Sequence, residues 1–428
     1  MKILIANYRY FVSSGPERYL FNIKDRFEAT GHEVAPFSVR YARNVPTPYE
    51  RYFVSPLGSP DEVYFDQHKG SPGAFLKTLS RLFYSTEVEH AVGRLADDFK
   101  PDIAYILYYL RKLSPSVLAA LKKRNVPIVV RLSDYGMFCP EHHCLRAGHP
   151  CTLCINGNLT SSIKHRCVKG SFLISGLEAA ATMFHRMRGY FDMIDQFVTT
   201  NSFMTEMMIK AGYPANRLTC IPTFTDIEKF KPLPTGATDR PYIAFVGRLD
   251  PAKGVHVLLN AMVHLKRLSG GAPLLLRIAG VEHNADYLAA LKAQTERNGL
   301  QGVVEFLGPL HPDKVAGLLQ RAMALIMPAL WFENLPNTVL ESFSCGTPVI
   351  ASQLGSLSRT ITDGENGLLA KPGDAIDFAE KIDLLARDPK LQTTMRQCAR
   401  LTAETTYSPN SHFTALQRLF SKMTEVRH

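Results

Sequence analysis

Short apolar runs alternate with longer segments of helical period along the whole chain. In the first half, strand candidates cover 2–7, 33–37, 103–108, 128–132 and 196–200, and helical segments run from Pro16 to a stop at Gly31, over 75–99 and from Pro115. Repeated strand–helix–strand units predict a parallel sheet covered by helices. The first half therefore predicts an α/β, Rossmann-like domain.

A second series of the same kind fills the other half of the chain. Strand candidates at 242–246, 274–279, 303–307, 324–327 and 348–351 are separated by helical segments at 255–268, at 285–298, from Pro312 and from Asn337. Between the two series, 222–237 carries three prolines and no clear period, which predicts a linker. We expect two doubly wound domains, 1–222 and 241–405, joined by a linker at 223–240. Ligands of such sheets bind at the carboxyl ends of the strands, so the active site is expected in the cleft between the domains.

Composition narrows the class of protein. A length of 428 residues with 46% hydrophobic and 21% charged positions is typical of folded domains with two cores rather than of disordered or fibrous chains. No apolar run approaches the ~20 residues that span a bilayer, and the N-terminus has no apolar core followed by a cleavage site. We therefore expect a cytoplasmic protein.

Positive charge is concentrated in one stretch. The chain carries a formal charge of +10, and residues 111–188 hold 12 basic against 3 acidic residues. Such a patch attracts phosphates of any kind, including anionic lipid headgroups, diphosphates and nucleic acid. An exposed, merely solvated basic face is the alternative interpretation.

The segment VGRLDPAKG at 246–254 follows a strand and precedes a helix. Its turn carries Gly247, and two cations, Arg248 and Lys253, lie beside the start of the next helix, an arrangement suited to a diphosphate. The segment matches neither the GxGxxG fingerprint nor a GxxxxGK[ST] loop, which disfavours nicotinamide enzymes and P-loop kinases.

The segment WFENLPNTVLE at 331–341 places two carboxylates near the same cleft. Glu333 falls in a loop after a strand, and Glu341 falls about one turn into the following helix. Two exposed acids eight positions apart are also common by chance. The interpretation of these carboxylates as site residues therefore depends on the segments that follow, SCGTPVIAS at 344–352 and DGENGLL at 363–369.

Taken in order, VGRLDPAKG, WFENLPNTVLE, SCGTPVIAS and DGENGLLAKPGD resemble the retaining glycosyltransferases of family four, also known as glycosyl transferases group 1, which have the GT-B architecture. The resemblance covers most of 240–400, and the N-terminal half is similar more loosely through SGPER and RLSDYGMFCP. It implies two Rossmann-like domains facing a cleft, and a final helix within 406–428 that returns to the first domain.

The resemblance also implies roles for single residues. Arg248 and Lys253 would hold the donor diphosphate, Glu333 would lie beside the donor sugar, and Glu341 would bind the ribose. The remaining implied donor contacts are Gly15, Gly247 and the backbone of Asn334, Leu335 and Pro336. Many relatives have His-Asp after the fourth N-terminal strand where this chain has Ser133-Asp134, so only Asp134 is expected to contribute there.

The implied reaction moves a sugar from a UDP or GDP donor to a hydroxyl of a glycan or lipid-linked acceptor with retained configuration, in the synthesis of a cell-surface polysaccharide or glycolipid. The leaving phosphate would take the acceptor proton, and a covalent intermediate on Glu333 is the mechanistic alternative. The chain has no Asp-x-Asp motif, so no cofactor is expected for catalysis. A nucleotide-sugar epimerase and a non-catalytic binder of nucleotide sugar or nucleic acid are the alternatives; specific nucleic-acid binding is not expected.

Five of the eight cysteines fall between 139 and 167. Cys151 and Cys154 have the spacing of a zinc knuckle, and with Cys139 and Cys167 they are candidate ligands of a structural zinc ion. Cys144 and histidines 142, 143, 149 and 165 are candidate substitutes, and reduced thiols in a surface insertion are the alternative.

Basic and apolar residues are mixed directly after this cluster. Lys164, Arg166 and Lys169 precede an apolar helical segment that continues to Arg188. Such a segment is a candidate for contact with an anionic membrane, which would place the protein on the inner membrane face. A core helix with a basic edge is the alternative.

Overall fold

The computed structural model describes residues 1–13, 15–59, 61, 72–233, 240–268, 274–282 and 284–425. Its strands follow the alternating pattern of the sequence. They are Lys2–Ala6 (β1), Glu33–Phe37 (β2), Ile103–Ile106 (β3), Ile128–Arg131 (β4), Leu145–Arg146 (β5), His149–Pro150 (β6), Gln196–Thr199 (β7), Leu218–Cys220 (β8), Tyr242–Val246 (β9), Leu275–Ala279 (β10), Val304–Gly308 (β11), Leu325–Met327 (β12), Val349–Ser352 (β13) and Gly367–Ala370 (β14).

Helices connect these strands. They are Gly15–Ala29 (α1), Pro72–Phe83 (α2), Thr86–Phe99 (α3), Ser116–Lys122 (α4), Thr160–Lys164 (α5), Phe172–Met187 (α6), Ser202–Lys210 (α7), Val255–Leu268 (α8), Ala285–Arg297 (α9), Pro312–Arg321 (α10), Asn337–Ser344 (α11), Leu357–Thr360 (α12), Ala375–Arg387 (α13), Pro389–Thr406 (α14) and Pro409–Glu425 (α15).

The strands form two separate six-stranded parallel sheets. Their orders are β2-β1-β3-β4-β7-β8 and β11-β10-β9-β12-β13-β14. Strand order reverses beside β1 in one sheet and beside β9 in the other, and the chain leaves each of these strands toward the cleft. The prediction of two doubly wound α/β domains is confirmed, and β8 and β14 are strands that the periodicity did not predict.

Each sheet is buried on both faces because successive side chains of a strand point to opposite sides. Along β1, Leu4 packs into one apolar cluster while Ile3 and Ile5 pack into another. In the second sheet, Phe245 and Ala244 divide in the same way between two further clusters. These four cores fix the carboxyl ends of the strands, where the loops of the cleft begin.

The prediction of one helix over 75–99 is wrong, because the chain breaks between α2 and α3. Ser85 has an extended backbone (φ −113°, ψ 113°), and its hydroxyl accepts a hydrogen bond from the backbone N–H of Val88. Serine in this position satisfies a donor that a new helix would otherwise leave unpaired. The apolar periodicity runs through the break, so periodicity alone concealed it.

The last helix, α15, packs on the first sheet rather than on the second. Phe413, Leu416 and Phe420 are buried with Ile3 and Tyr105 in one apolar cluster. His412 ties the helix further: its Nδ1–H donates to the Pro222 carbonyl at 2.7 Å, and its Nε2 accepts from the Tyr19 hydroxyl at 2.9 Å. The chain therefore crosses between the domains twice, once near Pro222 and once before α15. Residues 234–239 of the predicted linker and 426–428 of the predicted final segment lie outside the described residues.

Candidate active site

The loop between β9 and α8 is held in a fixed shape by short-range contacts. Asp250 accepts a hydrogen bond from the backbone N–H of Ala252 at 2.9 Å, and Gly254 has a left-handed backbone with φ 74°. A Cβ on Gly254 would lie 1.9 Å from the Pro328 carbonyl oxygen. Only glycine therefore lets this loop approach the loop after β12, and that approach fixes the direction of the neighbouring Lys253.

Lys253 and Glu333 form a buried ion pair. The Lys253 Nζ lies 2.6 Å from the Glu333 Oε1, with side chains that are 13% and 6% exposed. The indole N–H of Trp331 donates to the same oxygen at 2.7 Å, and the Lys253 ammonium lies 5.4 Å from the Trp331 ring centroid. The two residues singled out in separate motifs are thus brought together, and Trp331 joins them.

The first domain contacts the same loop from the other side of the cleft. Asn201 follows β7, and its Nδ2 donates to the carbonyl and side-chain oxygens of Asn334 at 2.6 and 2.9 Å. Thr200 also donates to the Asn334 side chain, and the Tyr135 hydroxyl donates to the Glu333 carbonyl at 3.3 Å. These bonds use the Asn334 side chain and carbonyl, so among the described residues its backbone N–H has no partner and is the group left for a ligand.

A cavity of about 290 Å³ lies between the domains, beside the start of α11. Gly15, Arg18, Lys229, Asn337 and Glu341 are among its lining residues. A Cβ on Gly15 would lie 2.7 Å from the Asn337 side-chain nitrogen, so the start of α1 lies close to the start of α11. The cavity combines cations with a carboxylate, which is a suitable lining for phosphate and ribose groups.

Glu341 is 9% exposed on the wall of this cavity. Burial raises the pKa of its carboxyl group, and the charges of Arg18 and Lys229 oppose that rise only in part. Among the described residues neither cation forms an ion pair with Glu341, and Lys229 pairs instead with Asp313 at 2.8 Å. A hydroxyl donor such as a ribose would satisfy the buried carboxylate.

Asp134 has a histidine partner that comes from elsewhere in the chain. The His142 Nδ1 lies 3.2 Å from the Asp134 Oδ2, and the Gly136 backbone N–H donates to Oδ1 at 2.8 Å. Burial raises the pKa of Asp134, but His142 and the Gly136 N–H outweigh it and leave the pKa below its usual value. Ser133, in the position where relatives carry histidine, accepts a hydrogen bond from Arg131 at 3.0 Å.

The other residues predicted to contact the sugar donor differ in how exposed they are and in what they pack against. Arg248 is exposed and makes no hydrogen bond or ion pair with any other residue in the described part of the chain. The Gly247 carbonyl is crowded by Gly280, where a Cβ would lie 1.7 Å from it. Leu335 packs partly against the second domain's core, and Pro336 is the N-cap residue of α11. Arg248 is thus the cation of this loop that is still available to a ligand.

The five clustered cysteines surround one cavity of about 20 Å³: Cys139, Cys144, Cys151, Cys154 and Cys167. All are free thiols. A hydrogen bond from the Cys144 thiol, helped by the backbone N–H groups of Glu141 and Cys144, outweighs burial and lowers the pKa of Cys139 to about 6. Among the residues that the structure describes, no three or more His, Cys, Asp or Glu side chains are arranged to hold a metal ion. The zinc site stays a prediction.

Sequence reasoning missed several residues of the cleft. Trp331 lies inside a recognised motif but carries a hydrogen bond that no motif assigned. Tyr135 lies in the segment RLSDYGMFCP, which gave it no role, and Asn201 lies in a loop with no catalytic pattern; both contact the second domain. Arg18 and Lys229 come from α1 and from the linker, which are far apart in sequence. Position at the carboxyl end of a strand was the available signal for Asn201; Arg18 and Lys229 had none.

The two facing Rossmann-like domains, with a cation, a carboxylate and an intervening cavity at the carboxyl ends of their strands, define the GT-B class of fold. Residues 226–402 match the family model described as glycosyl transferases group 1. This match over part of the chain, together with the fold, confirms the resemblance recognised from the sequence.

Individual proteins are similar at lower identity. A D-inositol 3-phosphate glycosyltransferase of Corynebacterium jeikeium is 30% identical over 234 residues, which are 51% of this chain and 55% of that protein. The chain spans about half the length or less of this and two other curated relatives that carry the same name. Sucrose-phosphate synthase of Thermosynechococcus elongatus matches in structure with a TM-score of 0.72 at 18% identity, covering 99% of both chains.

A second solved structure carries ligands. Anabaena HepE in complex with UDP and glucose has a TM-score of 0.63 at 19% identity, and the match covers 99% of each chain. At these identities the structures show a shared GT-B fold. Across the described residues, no helix has the length and apolar character needed to cross a membrane.

Proposed function

We propose that this protein is a retaining glycosyltransferase that transfers a sugar from a UDP- or GDP-sugar to a hydroxyl of a glycan or lipid-linked acceptor. The observation that carries the proposal is the buried Lys253–Glu333 ion pair, 2.6 Å across. Arg248, in the same loop as Lys253, is exposed and has no hydrogen-bond or ion-pair partner among the described residues. HepE, which has the same fold, was solved with UDP and glucose. These features support a nucleotide sugar as the donor.

Charge separation at the anomeric carbon is the main barrier of such a transfer. Arg248 and Lys253 would stabilise the negative charge that grows on the departing diphosphate, since cations fixed in a cleft need no reorganisation during the reaction. Glu341 would accept hydrogen bonds from the ribose, and Asp134 would contact the sugar from the first domain. Closure of the two domains would orient the acceptor hydroxyl and exclude water.

Retention of configuration is proposed to proceed on one face of the sugar. The leaving phosphate oxygen would take the proton of the acceptor hydroxyl, so no separate general base is needed. Glu333 fits a stabilising role better than that of a nucleophile, because its Oε1 is bound by both Lys253 and Trp331. Analysis of the product anomer by NMR tests retention: an inverted product would contradict this mechanism.

Nucleotide binding is the first experiment. A thermal-shift panel should show stabilisation by UDP or GDP that is lost in Arg248→Ala; a ligand at 100 times its Kd stabilises the native state by about 2.7 kcal/mol. NAD and short RNA serve as negative ligands. Donor turnover with no acceptor would favour an epimerase, and nucleotide binding with no turnover of any donor would favour a non-catalytic binder.

The acceptor side is proposed to face an anionic membrane through α6. Phe172, Leu173 and Met187 of this helix are 64%, 70% and 73% exposed, although its opposite side is buried. The exposed cations Lys164, Arg166 and Lys169 lie just before it in the chain. Exposed apolar groups beside cations are the two components of interfacial binding, which supports a role in cell-surface glycan or glycolipid synthesis at the inner membrane face.

Cosedimentation with vesicles tests the membrane contact. Binding to vesicles that contain phosphatidylglycerol should fall with salt and with the triple change Lys164→Glu, Arg166→Glu and Lys169→Glu. A matched triple change at Lys292, Lys371 and Lys390, which are exposed on the second domain, should leave binding unchanged. If both triple variants lost vesicle binding equally, the net charge of the protein would explain the binding, and the proposed surface on α6 would be contradicted.

A further inference from the structure

Three arginines among the described residues are more than nine-tenths buried: Arg9, Arg81 and Arg131. Arg81 pairs with Glu87 at 2.8 Å, and Arg9 pairs with Glu17 at 3.4 Å. Arg131 is 7% exposed, and no carboxylate of the described residues forms an ion pair with it. Because a buried cation without a counter-ion is costly, Arg131 differs from the other two in a way that needs a physical reason.

The groups that surround the Arg131 guanidinium are neutral. Its Nη1 donates to the Ser133 hydroxyl oxygen at 3.0 Å, and its central carbon lies 4.1 Å from the centroid of the Tyr19 ring. The Tyr19 hydroxyl is bonded to Tyr105 at 2.8 Å and to His412 at 2.9 Å. The Arg131 Nε has no hydrogen-bond partner among the described residues. Dipoles and one aromatic face therefore provide the only compensation for a full positive charge.

One side of Arg131 faces the loop that contacts the second domain. Arg131 is the last residue of β4, which lies inside the first sheet between β3 and β7. The next residue, Leu132, accepts a hydrogen bond on its carbonyl from the Asn334 side chain at 3.4 Å, and the residue after it is Ser133. The guanidinium is thus bonded to a residue at the carboxyl edge of the sheet, where ligands of this class of fold bind.

The other side of Arg131 faces the cavity between the domains. Tyr19, whose ring covers the guanidinium, is one of the residues that line this cavity, as is Gly15. Gly15 is the first residue of α1, a helix of 15 residues, and the N-terminus of a helix favours anions. The unpaired cation and the positive end of this helix therefore act on the same part of the cleft.

We propose that Arg131 and Ser133 form a binding site for a phosphate group in the cleft. The phosphate supplies the counter-charge that the chain itself does not supply, and the planar guanidinium donates to its oxygens in the fork geometry that phosphate fits. The Ser133 oxygen accepts from Arg131, which leaves its O–H to donate to the same phosphate. This group belongs either to the diphosphate of a nucleotide or to an acceptor that carries its own phosphate. Only the choice between these two sources rests on the proposed function.

Isothermal titration calorimetry of the full chain tests the site with two probes. UDP and GDP are titrated into the wild type and Arg131→Met, and inorganic phosphate is then titrated into protein saturated with the nucleotide. We expect binding in one of the two titrations to weaken by about tenfold or more in Arg131→Met. Weakening in the first titration assigns the site to the donor diphosphate, and weakening in the second assigns it to a phosphate of the acceptor.

Two further results separate this site from a structural role or a general charge effect. Ligand-free Arg131→Met should unfold at the same temperature as the wild type or higher, because an apolar side chain replaces a buried charge without a counter-ion. Arg43→Met removes an equal charge from an exposed position of the first domain and should leave both titrations unchanged. A clear loss of stability in Arg131→Met would assign the arginine to packing on Tyr19 and overturn the proposal. Unchanged affinity for nucleotide and phosphate, or equal weakening in Arg43→Met, would also overturn it.

Failure of the proposed function gives a different result. If the wild type binds neither UDP nor GDP, the nucleotide-sugar donor is contradicted, and inorganic phosphate is titrated into the ligand-free protein instead. Phosphate binding that is weakened in Arg131→Met but kept in Arg248→Ala would support the phosphate site without a nucleotide donor. Phosphate binding that is absent in the wild type, or equal in the wild type and Arg131→Met, would overturn the site as well.

Discussion

Lys253 and Glu333 meet across the cleft-facing loops of the second domain, with 2.6 Å between Nζ and Oε1. The two residues are 80 positions apart, and the close approach of Gly254 to the Pro328 carbonyl is what brings their loops together. Because the Trp331 N–H also binds Oε1, Oε2 has no partner among the described residues and is the oxygen left for a substrate. The pair therefore holds a carboxylate in a fixed direction while keeping its charge compensated.

Removing one partner of this ion pair should destabilise the protein more than replacing both partners. Lys253→Met leaves a buried carboxylate with one neutral donor, and we expect the free energy of unfolding to fall by roughly 3 kcal/mol. The double variant Lys253→Met/Glu333→Gln should recover a large part of that loss. Thermal unfolding of both single variants and of the double variant gives the coupling energy; strictly additive losses would mean that the two side chains do not interact.

Arg248 should affect binding and not stability. Its side chain is exposed and makes no contact of the kind an ion pair needs with the described residues, so Arg248→Ala should change the free energy of unfolding by less than about 0.5 kcal/mol. Loss of a charged hydrogen bond to the diphosphate corresponds to about 1.5–3 kcal/mol, or roughly 10- to 150-fold in the Kd for UDP or GDP. Isothermal titration calorimetry with UDP and GDP measures this change in Kd.

The control for that prediction lies in the same domain. Arg267 is exposed in the last turn of α8, away from the loop that α8 begins with, so Arg267→Ala removes an equal charge without touching the cleft. Equal weakening of nucleotide binding in both variants would show that Arg248 acts only through the general field of the protein.

The strands and the motif residues of the second domain were predictable because their signals are local. β9 and α8 occur at the predicted residues, since an apolar run ending at Val246 and a helical period after Gly254 need no distant partner. The Lys253–Glu333 contact was not predicted, because the resemblance implied separate roles for the two residues. The Asp134–His142 pair was not predicted, because the left-handed backbone of His142 and Cys144 carries no sequence signal. The break at Ser85 was missed for the opposite reason: a strong apolar period overrode a weak capping signal.

Gly254 should tolerate no side chain. In Gly254→Ala the new Cβ would lie 1.9 Å from the Pro328 carbonyl oxygen, and backbone atoms on both sides would have to shift. We expect a loss of several kcal/mol, on the scale of other severe steric changes, together with weaker nucleotide binding because Lys253 is the preceding residue.

Gly299→Ala is the matched control. Gly299 also has a left-handed backbone, with φ 61°, but a Cβ there would meet nothing within 4 Å. Gly299→Ala should therefore lower the free energy of unfolding only by the strain of a left-handed alanine, about 1–2 kcal/mol. If calorimetry finds equal losses in the two variants, backbone strain and not the contact with Pro328 explains the requirement for glycine.

Glu341 should make the free protein less stable as the pH rises. Burial raises the pKa of its carboxyl group in the folded state, so ionisation is less favourable there than in the unfolded chain. The resulting penalty is absent below the unfolded pKa and complete above the folded one. Glu341→Gln should therefore raise the melting temperature at neutral pH, and the gain should disappear toward pH 4. A gain of equal size at all pH values would contradict this electrostatic origin.

His412 should make the crossing helix α15 sensitive to acid. Burial lowers the pKa of His412 to about 4 from 6.5, since the ring is enclosed between Tyr19 and Phe224 and its nitrogens bind the Pro222 carbonyl and the Tyr19 hydroxyl. Between these two pKa values the unfolded chain binds a proton that the native state does not. Stability should therefore fall as the pH drops from 6.5 to 4, by at most roughly 3 kcal/mol from this group.

Unfolding by urea at several pH values, read with a probe on α15, measures that loss. His412→Asn should be less stable than the wild type at pH 7, because it leaves buried partners unsatisfied, but its stability should decline less steeply toward pH 4. His185, whose pKa burial also lowers to about 4, lies in α6 and contributes a separate part of the slope, so His185→Asn should flatten the curve without changing the α15 probe. An unchanged slope in His412→Asn would show that this histidine titrates alike in the folded and unfolded states.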